Sequence, residues 1–287
     1  MRRFDFVTVD VFTDRRFGGN PLAVFPDARG MTDAEMQALA AEFNLSETTF
    51  VLPPERPANT ARVRIFTRQY EMPFAGHPNV GTGFVLRDRA VGGLLRFEEI
   101  AGLVEVRVEG QDTTIAAPQP LTLDVELPPA LIARAAGLAE ADIVTARHAP
   151  VRAGTGNFFV IAEVTPEALT RAQPDFAGFR AGLEAVPQLA RRFALYLYAP
   201  NGTAVRARMF APLGGTVEDA ATGSAATPLA ALLLKLSGAE QGAWDITQGV
   251  EMGRPSLLRT TARRAPDGIR ATVGGGCVPV LRGEVTL

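Results

Sequence analysis

Hydrophobic and polar residues alternate in many short segments of this chain, as they do in strands with one buried face. The clearest segment is the first, Phe4–Phe12, and similar ones recur as far as the C-terminus. Mixed strands with one strongly apolar helix in each half predict an α+β fold, not a doubly wound parallel sheet. The predicted strands are Phe4–Phe12, Leu22–Phe25, Thr48–Leu52, Arg62–Thr67, Leu94–Glu98, Leu103–Glu109, Asn157–Val164, Phe193–Tyr198, Val205–Phe210, Ser256–Thr261, Gly268–Val273 and Pro279–Val285.

Apolar residues at helical spacing predict a smaller number of helices. The first begins at Thr32, which forms a capping box with Glu35. Further helices are predicted from near His77, over Pro166–Leu183, and in the run that ends at Leu236.

The proline-rich segment Pro118–Pro129 is interpreted as a linker. It divides the chain into an N-terminal half, residues 1–118, and a C-terminal half, residues 119–287. A C-terminal strand at about residues 275–287 is a candidate to pack on the N-terminal half.

Two glycine-rich loops, each leading into an apolar helix, form an internal repeat. EMPFAGHPNVGTGFVL begins at Glu71, and EDAATGSAATPLAALLLKL begins at Glu218. Upstream of these loops, the Arg-Ile-Phe that starts at Arg64 matches the Arg-Met-Phe that starts at Arg208. Because the three parts recur in the same order, the repeat predicts a duplicated domain with pseudo-twofold symmetry.

The start of each repeated helix is suited to an anion. Thr222, Gly223 and Ser224 would present backbone N–H groups at a helix N-terminus, whose partial positive charge favours carboxylates and phosphates. His77 holds the position of Ser224 in the first repeat. If the halves face each other, both starts meet in one cleft that could hold a small anion without a metal. The alternative is that each glycine loop only lets its helix pack against the sheet.

Composition excludes several classes of function. A net charge of −2 over 287 residues gives no electrostatic basis for nucleic-acid binding. One cysteine, Cys277, and two histidines leave no disulfide and no zinc-ligand spacing. Neither a P-loop lysine nor a dinucleotide fingerprint with its acidic partner is present, so no cofactor is expected. No apolar run is long enough for a membrane span, and no signal peptide is evident, so a cytoplasmic protein is expected.

Three side chains are candidates for the chemistry. Glu47, at the entry to a strand, could be a general acid or base, or simply an exposed loop carboxylate. His77 could transfer or donate a proton, or could be an ordinary residue of the first helical turn. Asp219 could hold a substrate amine or hydroxyl, or could cap the following helix. Ser224 lacks the surroundings of a hydrolase nucleophile, so it is better suited to binding an anion.

Several motifs, in order along the chain from Asn20 to the C-terminus, resemble the phenazine-biosynthesis isomerase (PhzF-like) family. They are GGNPLAVF, NLSETTFV, RIFT with EMPFAGHP, RMFAP with EDAATGSA, QGVEMGRPS and GGGCVPV. The resemblance implies a diaminopimelate epimerase-like fold of two pseudo-symmetric domains. In each domain a strongly curved, mostly antiparallel sheet is wrapped around a central helix, and the active site lies in the cleft between the domains.

The resemblance also implies a cofactor-independent isomerase that acts on trans-2,3-dihydro-3-hydroxyanthranilate or a similar small carboxylate. Glu47 of NLSET would be the acid/base that moves a proton between substrate carbons, with His77 and Asp219 beside it in the site. The implied substrate-binding residues are Asn20, Gly76, Thr222, Gly223 and Ser224. The family implies a homodimer, and the charge and the short apolar runs noted above predict no nucleic acid or membrane as partner.

The chain departs from this pattern at Ala220, where the family usually has proline. Racemases of the same fold use two cysteines, and this chain has Ala75-Gly76 in one loop and Ala220-Ala221 in the other where those thiols would lie. Two alternatives remain open at this point. One is an epimerase or dehydratase of another amino or hydroxy acid, and the other is a non-catalytic small-anion-binding protein of the same fold.

Overall fold

The computed structural model describes residues 1–189, 192–202 and 204–287, which form a mixed α+β fold. The chain divides into two compact units. The first unit combines Met1–Ala116 with Val273–Leu287, and the second is Ala117–Thr272. In the described ranges no helix is both long and apolar enough to cross a membrane.

The first unit is a mixed sheet with two helices. Its elements are β1 (Arg3–Val11), β2 (Asn20–Phe25), α1 (Asp33–Phe43), β3 (Thr48–Leu52), β4 (Ala61–Phe66), β5 (Glu71–Met72), α2 (Gly76–Val85), β6 (Leu94–Glu99), β7 (Gly102–Glu109), β8 (Asp112–Ala116) and the later part of β18 (Gly268–Thr286). Antiparallel pairing joins β1 to β2 and to β18, β3 to β4, and β6 to β7 to β8, whereas β2/β3 and β4/β6 are parallel pairs.

Helix α2 is buried at every position from Gly76 to Phe84 and packs against β1, β2, β3, β7 and β8. Its glycines make this close approach possible. A Cβ atom on Gly81 would lie 2.6 Å from a methyl of Leu22 and 2.8 Å from one of Val11. Glycine inside a helix costs roughly 0.5–1 kcal/mol relative to alanine, and here the close packing of strands offsets that cost.

The second unit is also a mixed sheet, with more helices. The elements are β9 (Thr122–Glu126), α3 (Pro129–Ala136), β10 (Ile143–Val144), β11 (Val151–Gly154), β12 (Phe158–Val164), α4 (Pro166–Arg171), α5 (Phe176–Ala185), β13 (Leu195–Asn201), β14 (Ala204–Ala211), β15 (Thr216–Asp219), α6 (Gly223–Ser237), β16 (Gln241–Gln248), β17 (Ser256–Ala265) and the start of β18. The pairs β12/β13 and β14/β16 are parallel, whereas β13/β14 and β16/β17 are antiparallel. Helix α6 is buried from Ala225 to Leu234 and packs against β11, β12, β16 and β17.

The segment Pro118–Pro129 was interpreted as a linker because of its prolines, but it contains a strand. Its centre, Thr122–Glu126, is strand β9 and pairs with β11. The prolines lie outside the paired residues, where a missing N–H removes no ladder hydrogen bond.

Two other expectations about elements were wrong. The helix predicted over Pro166–Leu183 is two helices, because Asp175 caps α5 through the N–H groups of Ala177 and Gly178 after α4 has ended. The two predicted C-terminal strands are one, β18, which continues through three glycines. A Cβ atom on Gly274 would lie 2.2 Å from the hydroxyl of Thr114, so the strand needs glycine for this approach, not for a break.

Candidate functional site

Glu47 lies in the short turn between α1 and β3. Helix α1 starts with the expected capping box of Thr32 and Glu35, and it ends at Asn44, whose left-handed backbone (φ 53°) turns the chain toward β3. The turn leaves the Glu47 side chain only 17% exposed. The capping box predicted from sequence is therefore confirmed, and Glu47 is not a freely exposed loop carboxylate.

His77 lies next to Glu47. Nδ1 of His77 is 3.4 Å from Oε2 of Glu47, and the His77 side chain is 6% exposed. This distance is slightly long for a hydrogen bond, but catalytic pairs are often loose before a substrate binds. The acid/base candidate and the first-turn histidine are therefore brought together within the first unit.

Asn20 and Gly76 belong to the same region of the first unit. The Ser46 hydroxyl, next to Glu47, lies 3.4 Å from the Asn20 side-chain oxygen. Gly76 is the first residue of α2, and its N-cap, Ala75, offers no side-chain acceptor. The start of α2 is buried next to Glu47 and His77, and a helix N-terminus without a side-chain cap is a suitable place for a carboxylate.

Asp219, Thr222, Gly223 and Ser224 lie together in the second unit. Asp219 ends β15, and the Thr222 hydroxyl donates to its carboxylate at 2.6 Å. Thr222 is the N-cap of α6 but makes no side-chain cap. Within the described chain, the N–H groups of Gly223 and Ser224 meet no acceptor. Anion binding at the start of α6 therefore stays a prediction, and these two N–H groups are its candidates.

Gln248, the last residue of β16, holds this loop together and was not singled out from the sequence. It is fully buried, and its Nε2 donates to the Asp219 carbonyl at 2.8 Å and to the Thr222 hydroxyl at 3.0 Å. Its Oε1 accepts from the Thr222 N–H at 3.2 Å and from the Tyr196 hydroxyl at 3.1 Å. Because Gln248 donates to the Thr222 hydroxyl, the proton of that hydroxyl is directed toward Asp219.

Each glycine-rich loop is also held by an arginine clamp, by which we mean the pairs Arg64–Glu71 and Arg208–Glu218. Both are bidentate, with N–O distances of 2.7 and 2.6 Å in the first and 2.8 and 2.9 Å in the second. The hydrogen bond with Glu71 is the main cause that raises the pKa of the Arg64 guanidinium. These clamps fix the two loops on β4 and β14.

The clamp arginines are alike in a second respect. Arg64 lies over the ring of Phe66 at 5.0 Å, and Arg208 over that of Phe210 at 4.8 Å. These are the residues that the sequence repeat aligns. Arg208 is buried and additionally donates to three carbonyl groups at the end of α4.

The thiol of Cys277 is unsuited to nucleophilic or acid/base chemistry. It lies in β18 and is buried, and this burial raises the pKa of its thiol to about 12. A thiol in this state holds almost no thiolate near neutral pH.

A sequence model described as phenazine biosynthesis-like protein matches residues 9–283. The chain belongs to this family.

Family members with named activities cover nearly the whole chain. The trans-2,3-dihydro-3-hydroxyanthranilate isomerase of Pseudomonas fluorescens is 37% identical over 289 residues, which is 99% of this chain and 99% of that protein. The isomerase of the same name from Pseudomonas aeruginosa is 38% identical over 276 residues, covering 94% of this chain and 95% of its own. These relatives support an isomerase.

The fold is shared with solved structures of the family. A crystal structure of a phenazine biosynthesis protein of the PhzF family from Bacillus anthracis has a TM-score of 0.90 at 24% identity, and the match covers 100% of both chains. The resemblance stated from the motifs is therefore confirmed.

Proposed function

We propose that this protein is a cofactor-independent isomerase in which Glu47 moves a proton within a small carboxylate-bearing substrate. The observation that carries the proposal is the pair of Glu47 and His77, 3.4 Å apart and poorly exposed, next to the start of α2. The substrate would be trans-2,3-dihydro-3-hydroxyanthranilate or a compound like it, since relatives at 37–38% identity carry that activity in their names.

In the proposed reaction Glu47 acts first as a base and then as an acid. Its carboxylate takes a proton from one carbon of the substrate, and the C–H electron pair moves into the conjugated double bonds. The same carboxyl group then returns the proton to another carbon, and the enol that results becomes a ketone. No electrons are gained or lost overall, so the chemistry itself requires no redox cofactor.

His77 and Asp219 would support this transfer from their separate units. His77, within reach of Glu47, can hold the carboxylate in position while the proton is transferred. Asp219 already accepts from the Thr222 hydroxyl, and a second lone pair can accept from an amine or hydroxyl of the substrate. The N–H groups of Gly76, Gly223 and Ser224 would bind the substrate carboxylate.

The proposed fold is a diaminopimelate epimerase-like pair of pseudo-symmetric domains. Support for the duplication comes from the two arginine clamps. Each joins an arginine to a glutamate of the next strand, from β4 to β5 in the first unit and from β14 to β15 in the second. The burial of α2 and α6 among strands of their own units supports it as well.

The test is turnover of trans-2,3-dihydro-3-hydroxyanthranilate in D₂O, followed by product analysis and deuterium content. The native protein should give the ketone isomer, and Glu47→Gln should lower kcat by at least about 100-fold, since a positioned acid/base contributes about 10²–10⁴. Glu42→Gln, which changes an exposed glutamate of α1, is the matched control and should retain activity.

Full activity in Glu47→Gln would refute the role of Glu47. The native protein could instead act on another amino or hydroxy acid, by exchanging its hydrogen for deuterium, epimerising it or dehydrating it. Such a result would show that the substrate proposed here is wrong. Tight binding of a small carboxylate without deuterium incorporation into any ligand would refute catalysis altogether.

A further inference from the structure

The strand that follows the buried helix has the same pairing in both units. It is β6 after α2 in the first unit and β16 after α6 in the second. In the first unit β6 runs parallel to β4, with Arg62 opposite Glu98. In the second, β16 runs parallel to β14, with Arg206 opposite Thr247. In each case one further residue completes the strand.

Those two last residues correspond to each other. The clamp arginines Arg64 and Arg208 are each two positions beyond the arginine that pairs with the neighbouring strand. With these arginines in register, Glu99 at the end of β6 corresponds to Gln248 at the end of β16. The sequence repeat did not extend this far, because glutamate and glutamine lie here in otherwise unrelated segments.

Both side chains meet the start of their helix. Gln248 binds the Thr222 N-cap of α6, as described above. Glu99 faces the side chain of Asn79, a fully buried residue in the first turn of α2, whose Nδ2 donates to the Ala75 carbonyl at 3.0 Å. Ala75 is the N-cap of α2.

The surroundings of Glu99 do not provide for a charge. Both carboxyl oxygens are buried, and neither has a hydrogen-bond donor in proper geometry among the described residues. The charged groups of the neighbouring elements are engaged elsewhere. Arg64 of β4 is paired with Glu71 of β5, Arg62 with Glu55, Glu98 accepts from backbone N–H groups, and His77 of α2 lies against Glu47.

We propose that Glu99 and Gln248 are a matched pair of neutral positioning residues, one at each helix start, and that Glu99 performs this role as a protonated carboxylic acid. A carboxylic acid has nearly the shape of the glutamine amide and, like it, offers both a donor and an acceptor. Burial raises the pKa of Glu99 to about 8, which agrees with a neutral side chain at neutral pH.

The pair acts on the candidate site through the helix starts. Glu99 lies against Asn79, two residues after His77, and as a protonated acid it would donate to the buried Oδ1 of Asn79, which has no partner among the described residues. Gln248 binds Asp219 and Thr222 directly. Once Glu99 ionises, its charge has no partner at this position, so the first turn of α2 must rearrange to admit water. For its effect on catalysis, this inference rests on the proposed function.

The first experiment compares Glu99→Leu with Glu99→Gln in the isomerase assay between about pH 6 and pH 10. Glu99→Leu should lower kcat/KM by about 10-fold or more, and the conservative Glu99→Gln should restore most of that loss. The native protein should lose activity as Glu99 ionises near pH 8, whereas Glu99→Gln should not show this alkaline loss. A Glu99→Gln variant as impaired as Glu99→Leu, or one with the native alkaline loss, would overturn the proposal.

A second experiment needs no turnover, so it separates failure of this inference from failure of the proposed function. Hydrogen–deuterium exchange, corrected for the intrinsic effect of pH, is followed in peptides covering residues 73–80 and 219–226. Native residues 73–80 should lose protection above about pH 8, and in Glu99→Gln they should keep it. Gln248→Glu should give residues 219–226 a pH dependence that they lack in the native protein. Unchanged protection in all three proteins would refute the pair even if the isomerase activity is found.

Discussion

A buried carboxyl group with a raised pKa makes folding stability depend on pH, and Glu99 should do so strongly. The folded pKa is about 8, against 4.5 for the ordinary side chain. The folded state therefore holds the proton over a range in which the unfolded chain has released it. Stability contributed by this group is complete below about pH 4.5, falls as the pH rises, and is lost once the pH exceeds about 8.

The magnitude follows from the shift. Each pH unit inside this window changes the free energy of unfolding by about 1.4 kcal/mol. Between about pH 5 and pH 7.5, the titration of Glu99 should therefore lower the free energy of unfolding by about 3 kcal/mol. The substitution Glu99→Gln keeps the shape of the side chain and removes its titration. Over the same pH interval, the free energy of unfolding of the variant should therefore rise relative to that of the native protein by about the same amount.

Urea unfolding followed by circular dichroism at several pH values measures this difference directly. The variant and native curves of free energy against pH should converge toward low pH and separate toward pH 8. Glu109→Gln, which changes an exposed carboxylate of β7, is the matched control and should stay parallel to the native curve. Parallel native and Glu99→Gln curves would show that Glu99 is ionised in the folded protein and would refute the reasoning.

Two further predictions concern stability. Arg208→Met should destabilise the protein by about 3–5 kcal/mol, because Glu218, whose side chain is only 16% exposed, would lose its partner. Urea unfolding of this variant and of Arg208→Met/Glu218→Gln tests it, and an equal loss of stability in both would contradict the reasoning. Gly81→Ala should cost about 1–3 kcal/mol, because the new methyl group would overlap Leu22. Thermal unfolding measures this loss, and Gly214→Ala, where a Cβ meets nothing within 4 Å, is the control; equal melting temperatures would contradict the overlap.

Local signals in the sequence predicted local structure well. The capping box of Thr32 and Glu35 involves neighbours in the chain, so its residue types alone identify it. The arginine clamps were visible as matched Arg and Glu positions, although the sequence did not show that they pair with each other. The placement of Glu47 beside His77 came from the family resemblance, since 30 residues of unrelated pattern separate the two.

What the sequence could not show depends on contacts between distant segments. Gln248 opens the quoted motif QGVEMGRPS, but its contacts reach Tyr196 across 52 residues and Thr222 across 26, so the local pattern did not show its role. Glu99 looks like any glutamate at the end of an exposed hairpin until its burial is known. Two separate C-terminal strands were predicted for the same reason, because β8, on which Gly274 of β18 packs, is far away in the sequence.

The division of the chain has a consequence for its synthesis. The first unit needs residues 277–286, since β1 pairs with β18 from Arg3 opposite Thr286 to Val11 opposite Cys277. The second unit is continuous and its residues are synthesised earlier. The N-terminal unit must therefore wait, with one side of β1 unpaired, until residues 277–286 have left the ribosome. A nascent chain stalled before that point would carry an open strand edge, the kind of surface that promotes aggregation.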